Sequence, residues 1–213
     1  MLAIARSHMD FALDKKYKIT HAWYEQLIGG YNVIRQEEKA KKLVFDPAEK
    51  RTIVELGIYE GASSCWWSDY FLDHPESRLS SVDPFTGNEE YQQNRENFPT
   101  LDDIEVIARA NIGKSKNAGK VSVIKGCSWD VFPALSREIK GQIDILYIDG
   151  EHTANAVCRD AALYYPLLKP GGALIFDDYG HEQVKRGVDG ALNAFGGLEN
   201  AFYTGWQLWC IKN

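Results

Sequence analysis

The sequence predicts an α/β fold built on one doubly wound, mostly parallel sheet, and three observations carry that prediction. Short apolar, β-branched runs recur at five places, and each ends in a glycine or an aspartate. Between them lie stretches with helical spacing of apolar residues, and alternation of strand and helix closes into a parallel sheet covered on both faces. At 213 residues and 45% hydrophobic content the chain can fill such a core but not two full domains.

In chain order, Ser7-His8-Met9 has the look of an expression-vector junction, so residues before about Asp10 carry no argument. Residues 20–43 are polar with spaced Trp23, Leu27, Tyr31 and Ile34, which predicts one helix, or two broken at Gly29-Gly30. Residues 1–48 thus form an N-terminal helical segment ahead of a main domain over 49–213. Strands are expected at 52–56, 79–82, 121–124, 143–148 and 173–176, and helices at about 89–98, 129–140, 153–168 and 182–195. A further helix follows the first strand through Phe71, and 102–119 reads as either helix or loop. Residues 201–211 form two aromatic strands around Thr204-Gly205, an antiparallel hairpin that brings the sheet to seven strands. A glycine-glycine turn at Gly171-Gly172 precedes the fifth strand.

Composition narrows the function. A net charge of −6 and a pI near 5.4 argue against nucleic acid, whose recognition needs an excess of Lys and Arg. Cys65, Cys127, Cys158 and Cys210 stand far apart, without zinc-like spacing, and read as reduced cysteines. No apolar run approaches the roughly 20 residues that cross a bilayer, and no secretory signal is visible, so a cytoplasmic protein without an integral membrane segment is expected.

In such sheets ligands sit beyond the C-terminal strand ends, where the strand order reverses. The first strand runs into Glu55-Leu56-Gly57-Ile58-Tyr59-Glu60-Gly61-Ala62-Ser63, where two glycines let the backbone approach a ligand and a helix offers free N–H groups. Alone this could be an ordinary strand-to-helix turn; it has neither the GxGxxG order of a dinucleotide site nor a following GK[ST]. Asp83 ends the second strand, where a carboxylate can accept from ribose hydroxyls. Gly126-Cys127-Ser128-Trp129 ends the third, offering a hydroxyl and a flat wall to an adenine, although core packing explains Trp129 equally well.

The fourth and fifth strands end in Asp149-Gly150-Glu151-His152 and Asp177-Asp178-Tyr179. As sheet neighbours they can bring three carboxylates to one point. Such a cluster is repulsive unless a cation neutralises it, and hard oxygen ligands select Mg²⁺, Mn²⁺ or Ca²⁺, with Mg²⁺ preferred. His152, at a helix start, can turn its ring over that point as a general base, with Glu151 the alternative. A capping role is the plain reading for His152 and His181 alike, and Asp177-Asp178 could simply cap a helix.

The order Glu-Leu-Gly-x-Tyr-x-Gly-x-Ser over 55–63, with Asp83, 126–128, Asp149 and Asp177-Asp178, resembles the metal-dependent class I O-methyltransferases. The similarity covers roughly residues 50–180 and is to the macrocin-type sugar O-methyltransferases and, more distantly, the catechol O-methyltransferase group. It implies a Rossmann-like fold and S-adenosylmethionine (SAM) as cofactor. It also implies that Glu55, Gly57, Tyr59, Gly61 and Ser63 surround the methionine part, Asp83 the ribose, and Cys127 and Ser128 the adenine. Asp149, Asp177 and Asp178 would hold the metal, with Asp149 also near the cofactor. The corresponding position carries a lysine base in the catechol enzymes and a histidine base in some macrolide-sugar enzymes, so His152 leans toward the sugar side, and a homodimer is implied from the family.

The expected acceptor is therefore a glycosyl hydroxyl, such as a deoxyhexose of a glycan, glycolipid or natural product, with a catechol or phenol as the alternative. Trp66, Trp67, Tyr91, Tyr179 and Trp206 are candidate stacking surfaces, although Trp66-Trp67 could equally pack a helix on the sheet. An oxidoreductase would need a redox site, and the 2-His-1-carboxylate pattern is absent. A non-catalytic partner protein would not need this loop, these aspartates and a base together.

Overall fold

The five sequence-predicted runs are strands β1 (Thr52–Leu56), β2 (Arg78–Asp83), β3 (Val121–Lys125), β4 (Ile143–Ile148) and β5 (Leu168–Phe176). This is a computed structural model that describes residues 15–98, 101–196 and 200–213, so the junction at residues 7–9 lies outside it. The tail adds β6 (Ala201–Tyr203) and β7 (Leu208–Ile211), and the seven strands form one sheet in the order β3-β2-β1-β4-β5-β7-β6. Strands β1 to β5 are parallel, while β7 runs antiparallel to β5 and β6. The hairpin thus joins the sheet through its second strand and leaves the three-residue β6 as a short edge.

Helices α1 (Tyr24–Gln36), α2 (Ala62–Phe71), α3 (Glu89–Gln93), α4 (Ile104–Ile112), α5 (Ser128–Ile139), α6 (Ala154–Tyr164) and α7 (Glu182–Ala194) connect and cover the strands. Every residue of β1 is buried, which is why it reads as a continuous apolar run and not as an alternation. Ile53 joins Leu27, Tyr31, Trp66, Trp67 and Trp209 on one face, whereas Val54 and Leu56 join Leu146, Val157 and Val188 on the other. Trp66 and Trp67 are therefore core residues of α2 and are not available to a substrate.

Four boundaries differ from the sequence-based expectation. Helix α1 takes the unbroken alternative at Gly29-Gly30, but it spans Tyr24–Gln36 instead of 20–43 and gives way at Glu37 to a 3₁₀ segment, Glu38–Leu43. Gly30 serves close approach: a Cβ there would lie 2.6 Å from Gln207 Oε1 and 3.1 Å from Thr204 Oγ1, so glycine lets α1 lie against the C-terminal hairpin. The expected helix over 89–98 is the short α3 followed by a 3₁₀ turn at Arg95–Asn97, and the expected helix over 153–168 ends at Tyr164. Finally, β5 starts at Leu168 and carries Gly171-Gly172 within it, at a register shift against β4. There Gly171 donates to Lys212 O at 2.6 Å and Lys212 donates back to Gly172 O at 2.9 Å, so the glycine pair is bulged strand bonded to the chain's tail.

Candidate active site

The strand order reverses between β1 and β4, and a cavity of about 760 Å³ opens beyond their C-terminal ends. Backbone bonds carry the ladder one residue past the strands: Gly57 N–H donates to Val82 O (2.9 Å), Asp149 N–H to Leu56 O (2.8 Å) and Asp177 N–H to Ile148 O (3.0 Å). These bonds set Gly57, Asp149 and Asp177 side by side on the cavity floor. Gly57 has φ +96°, and a Cβ on it would sit 1.8 Å from Asp149 O, so no other residue fits this crossing without moving β1 from β4.

Asp83 holds the loop in shape. Its Oδ2 accepts from the N–H groups of Ile58 (2.7 Å) and Tyr59 (3.1 Å), and its Oδ1 from Phe85 N–H (2.6 Å). Burial raises the Asp83 carboxyl above its ordinary range against the pull of those three donors. Of the candidate site residues, Gly57, Tyr59, Ser63, Asp83, Cys127, Ser128, Asp149, Glu151, His152, Asp177 and Asp178 line the cavity. Glu55 and Gly61 do not. Gly61 precedes α2 in the left-handed region at φ 82°. Glu55 lies beneath the loop, where Oε2 accepts from Ser81 Oγ at 2.6 Å and from Ser64 Oγ, while Oε1 is buried and has no hydrogen-bond partner among the described residues. Burial pushes its carboxyl up to about 7 despite those serine bonds.

At the other end, one ligand atom each from Asp149, His152 and Asp178 lies within 4.8 Å of the others, close enough to surround a single ion. His152 Nε2 is 3.0 Å from Asp178 Oδ2. Asp177 faces the same cavity but is turned to protein donors: Tyr147 Oη and Gln207 Nε2 (2.8 Å) both donate to its Oδ2. Tyr147 Oη also lies 3.1 Å from Asp149 Oδ2 and so bridges two carboxylates. Burial, then the neighbouring aspartates, push Asp149 well up and Asp177 up. Burial acts on Asp178 too, but its bonds to His152 and Trp206 bring it below the ordinary range. Buried carboxylates that raise one another are what a cation relieves, so the donor set fits a divalent ion. Asp178 also has φ +51°, a left-handed strain in a non-glycine residue that is held where Trp206 Nε1 donates to its Oδ1 at 2.5 Å.

Several lining residues were not foreseen. The segment before α1 lies along the glycine loop because Thr20 donates through N–H and Oγ1, each at 2.7 Å, to the Glu60 carboxylate. It delivers His21 and Trp23, stacked at 4.3 Å, into an aromatic wall with Tyr59, Tyr91 and Phe98. Of the aromatic candidates, Tyr91 and Trp206 line the cavity, as does Trp129, which is 44% exposed and not core. Tyr179 instead bonds Asp189 and Lys185. Asp160, which lines the cavity, and Gln207, buried behind Asp177, had no motif to mark them, although a lone amide in the aromatic run Trp206-Gln207-Leu208-Trp209 was a usable signal.

Residues 54–179, more than half the chain, match the family model described as a methyltransferase domain, and the chain belongs to that family. It is 35% identical over 132 residues to an uncharacterised protein of Acanthamoeba polyphaga mimivirus, a match covering 60% of this chain. There the chain spans about half, 51%, of the relative's length. Its fold is similar to that of TomG from Streptomyces achromogenes, an O-methyltransferase of tomaymycin synthesis solved with SAM (TM-score 0.58, 16% identity, 86% of this chain and 79% of that one). It is also similar to CalS11, a TDP-rhamnose 3'-O-methyltransferase of calicheamicin biosynthesis (TM-score 0.57, 14% identity, 91% and 80%). The architecture is the Rossmann-like methyltransferase fold with its antiparallel C-terminal pair. Among the described residues, no helix is long and apolar enough to cross a membrane.

Proposed function

We propose that this protein transfers the methyl group of SAM to a hydroxyl of a sugar, with a divalent cation at Asp149 and Asp178 and with Asp177 behind them. The observation that carries this reading is the convergence of Asp149, His152 and Asp178 in the same cavity as the glycine loop of β1. The sugar assignment draws on the aromatic faces of Trp23, Tyr91 and Trp206 set among polar groups, and on the acceptor named for CalS11.

The Gly57–Ser63 loop, shaped by Asp83, seats the cofactor, which supplies an electrophilic methyl. A bound Mg²⁺, Mn²⁺ or Ca²⁺ supplies Lewis acidity to an acceptor hydroxyl. His152 acts as the base: Asp178 Oδ2, 3.0 Å from Nε2, accepts from the protonated Nε2 and orients the ring, which leaves Nδ1 as the nitrogen that takes the hydroxyl proton. The oxygen attacks the methyl carbon, the carbon–sulfur bond breaks, and the products are a methyl ether and S-adenosylhomocysteine. The protein's main contribution is alignment of the two reactants behind the aromatic wall.

The test is transfer of labelled methyl from SAM to free and glycosidic deoxysugars and to catechols, with Mg²⁺ and with EDTA. Transfer to a sugar that vanishes with chelator and in Asp178→Ala is the expected result. Transfer to catechols alone overturns the sugar assignment, and undiminished transfer in EDTA overturns the metal.

A further inference from the structure

We propose that Asp160 reads the cofactor's purine: its Oδ2 accepts a hydrogen bond from the 6-amino group and so selects adenine over a 6-oxo purine. The proposal rests on the cofactor placement above, with the ribose beside Asp83 and the base directed to Cys127, Ser128 and Trp129.

Asp160 sits on α6, lines the cavity and is only 4% exposed. Its two oxygens are differently occupied. Oδ1 takes Ser128 Oγ at 2.5 Å and Arg159 Nε at 3.4 Å. Among the described residues Oδ2 accepts no hydrogen bond, and it lies toward Gly150, 3.9 Å from where a Cβ of that cavity-lining glycine would stand. Oδ2 is not among the buried atoms left without a partner, so it is open to the cavity, where a ligand's N–H can reach it.

The surroundings fix this oxygen in place. Tyr164 Oη donates to Ser128 O at 2.8 Å, so the residue that anchors Oδ1 is itself anchored. The Arg159 guanidinium, whose Nε reaches Oδ1, lies 3.8 Å from the centroid of the Trp129 ring, and both residues line the same cavity, giving it a flat face. A flat ring with an N–H donor on its edge is the ligand this combination recognises. An ionised carboxylate only accepts hydrogen bonds; at position 6 adenine offers it an amino group, whereas hypoxanthine offers a carbonyl oxygen, which repels it, and has its ring N–H at N1 instead.

The experiment is calorimetric binding at pH 8, without any acceptor, of S-adenosylhomocysteine and of S-inosylhomocysteine, which differ at purine position 6 and in the proton that the 6-oxo ring carries on N1. The wild type is expected to prefer the adenosyl ligand by on the order of 10- to 100-fold. In Asp160→Asn, whose amide can turn either a carbonyl or an amino group to the ring, the ratio should fall below about threefold. Asp160→Ser, smaller and both donor and acceptor, gives the same reading should the asparagine variant fail to fold. Equal binding of both ligands by the wild type, or an unchanged ratio in the variants, overturns the assignment. If the wild type binds neither ligand, the cofactor placement itself falls, and this assignment with it.

Discussion

Gln207 is wholly buried and stands between two groups that need it. Its Nε2 donates to Asp177 Oδ2 at 2.8 Å, and its Oε1 accepts from the buried Trp209 Nε1 at 3.0 Å. An acceptor on one side and a donor on the other leave the amide one orientation. Replacing it with leucine of similar size removes a bond to a buried carboxylate, worth about 1.5–3 kcal/mol. It also strands the Trp209 N–H, which costs a further ~1–3 kcal/mol. Gln207→Leu should therefore lose about 3 kcal/mol in urea unfolding followed by tryptophan fluorescence in EDTA. Gln207→Glu separates the two contributions, since it still accepts from Trp209 but sets a second carboxylate against Asp177. It should be the less stable of the two at pH 8 and recover at low pH as the carboxyls take up protons. A leucine variant within about 0.5 kcal/mol of wild type would refute the reasoning.

Gly57→Ala places a methyl 1.8 Å from Asp149 O at a φ of +96°, so it should cost ~2–4 kcal/mol of stability and abolish measurable S-adenosylhomocysteine binding; calorimetry showing native affinity would contradict the crossing described above. Glu55, held at about 7 by burial, keeps its proton in the folded protein where the unfolded chain, titrating near 4.5, has lost it, so its contribution to stability falls as pH rises from about 4.5 to 7. Thermal melts should accordingly show Glu55→Gln gaining on wild type across that window, by up to about 3 kcal/mol above pH 7, and a constant difference from pH 5 to 8 would count against it. His152→Ala should slow single-turnover methyl transfer by roughly 10²–10⁴-fold while S-adenosylhomocysteine affinity holds, and an equal loss of affinity would mark a structural role instead.

What the sequence made legible follows from how locally each feature is written. The strand-to-loop junctions were readable because a buried parallel strand is a continuous apolar run and the functional residue comes immediately after it, as Gly57 follows Leu56 and Asp149 follows Ile148. Glu55 was harder. It lies in the cofactor loop's motif, but strand alternation turns its side chain to the face opposite Val54 and Leu56, among Ser64 and Ser81, where it supports the loop from below. Whether Gly29-Gly30 breaks the helix stayed open in the sequence because local propensity counts glycine as weak in helices. The competing cause is tertiary: the helix must clear Gln207 and Thr204, some 175 residues later in the chain, and no local pattern records that contact. Asp160 was invisible for a similar reason, since a single acid in a helix becomes a cavity wall only when α6 packs beside β4.

The C-terminal hairpin shows why the acidic pair cannot be understood from β4 and β5 alone. Strand β7 pairs with β5 from Ala173↔Ile211 through Phe176↔Leu208. Carried one and two residues further, that antiparallel register sets Asp177 across from Gln207 and Asp178 across from Trp206. The bonds follow it: Gln207 donates to Asp177 at 2.8 Å and Trp206 to Asp178 at 2.5 Å. Two consecutive aspartates are thus each held by one of two consecutive donors, and the left-handed backbone at Asp178 is stabilised by the second of them. Register is the controlling variable, because a slip of one residue between β5 and β7 would remove both donors at once and invert the faces of Trp209 and Cys210. The bulged Gly171-Gly172 bonds to Lys212 pin the far end of the same pairing, so the glycine pair that looked like a simple turn contributes to the register of the site from the opposite end of the strand.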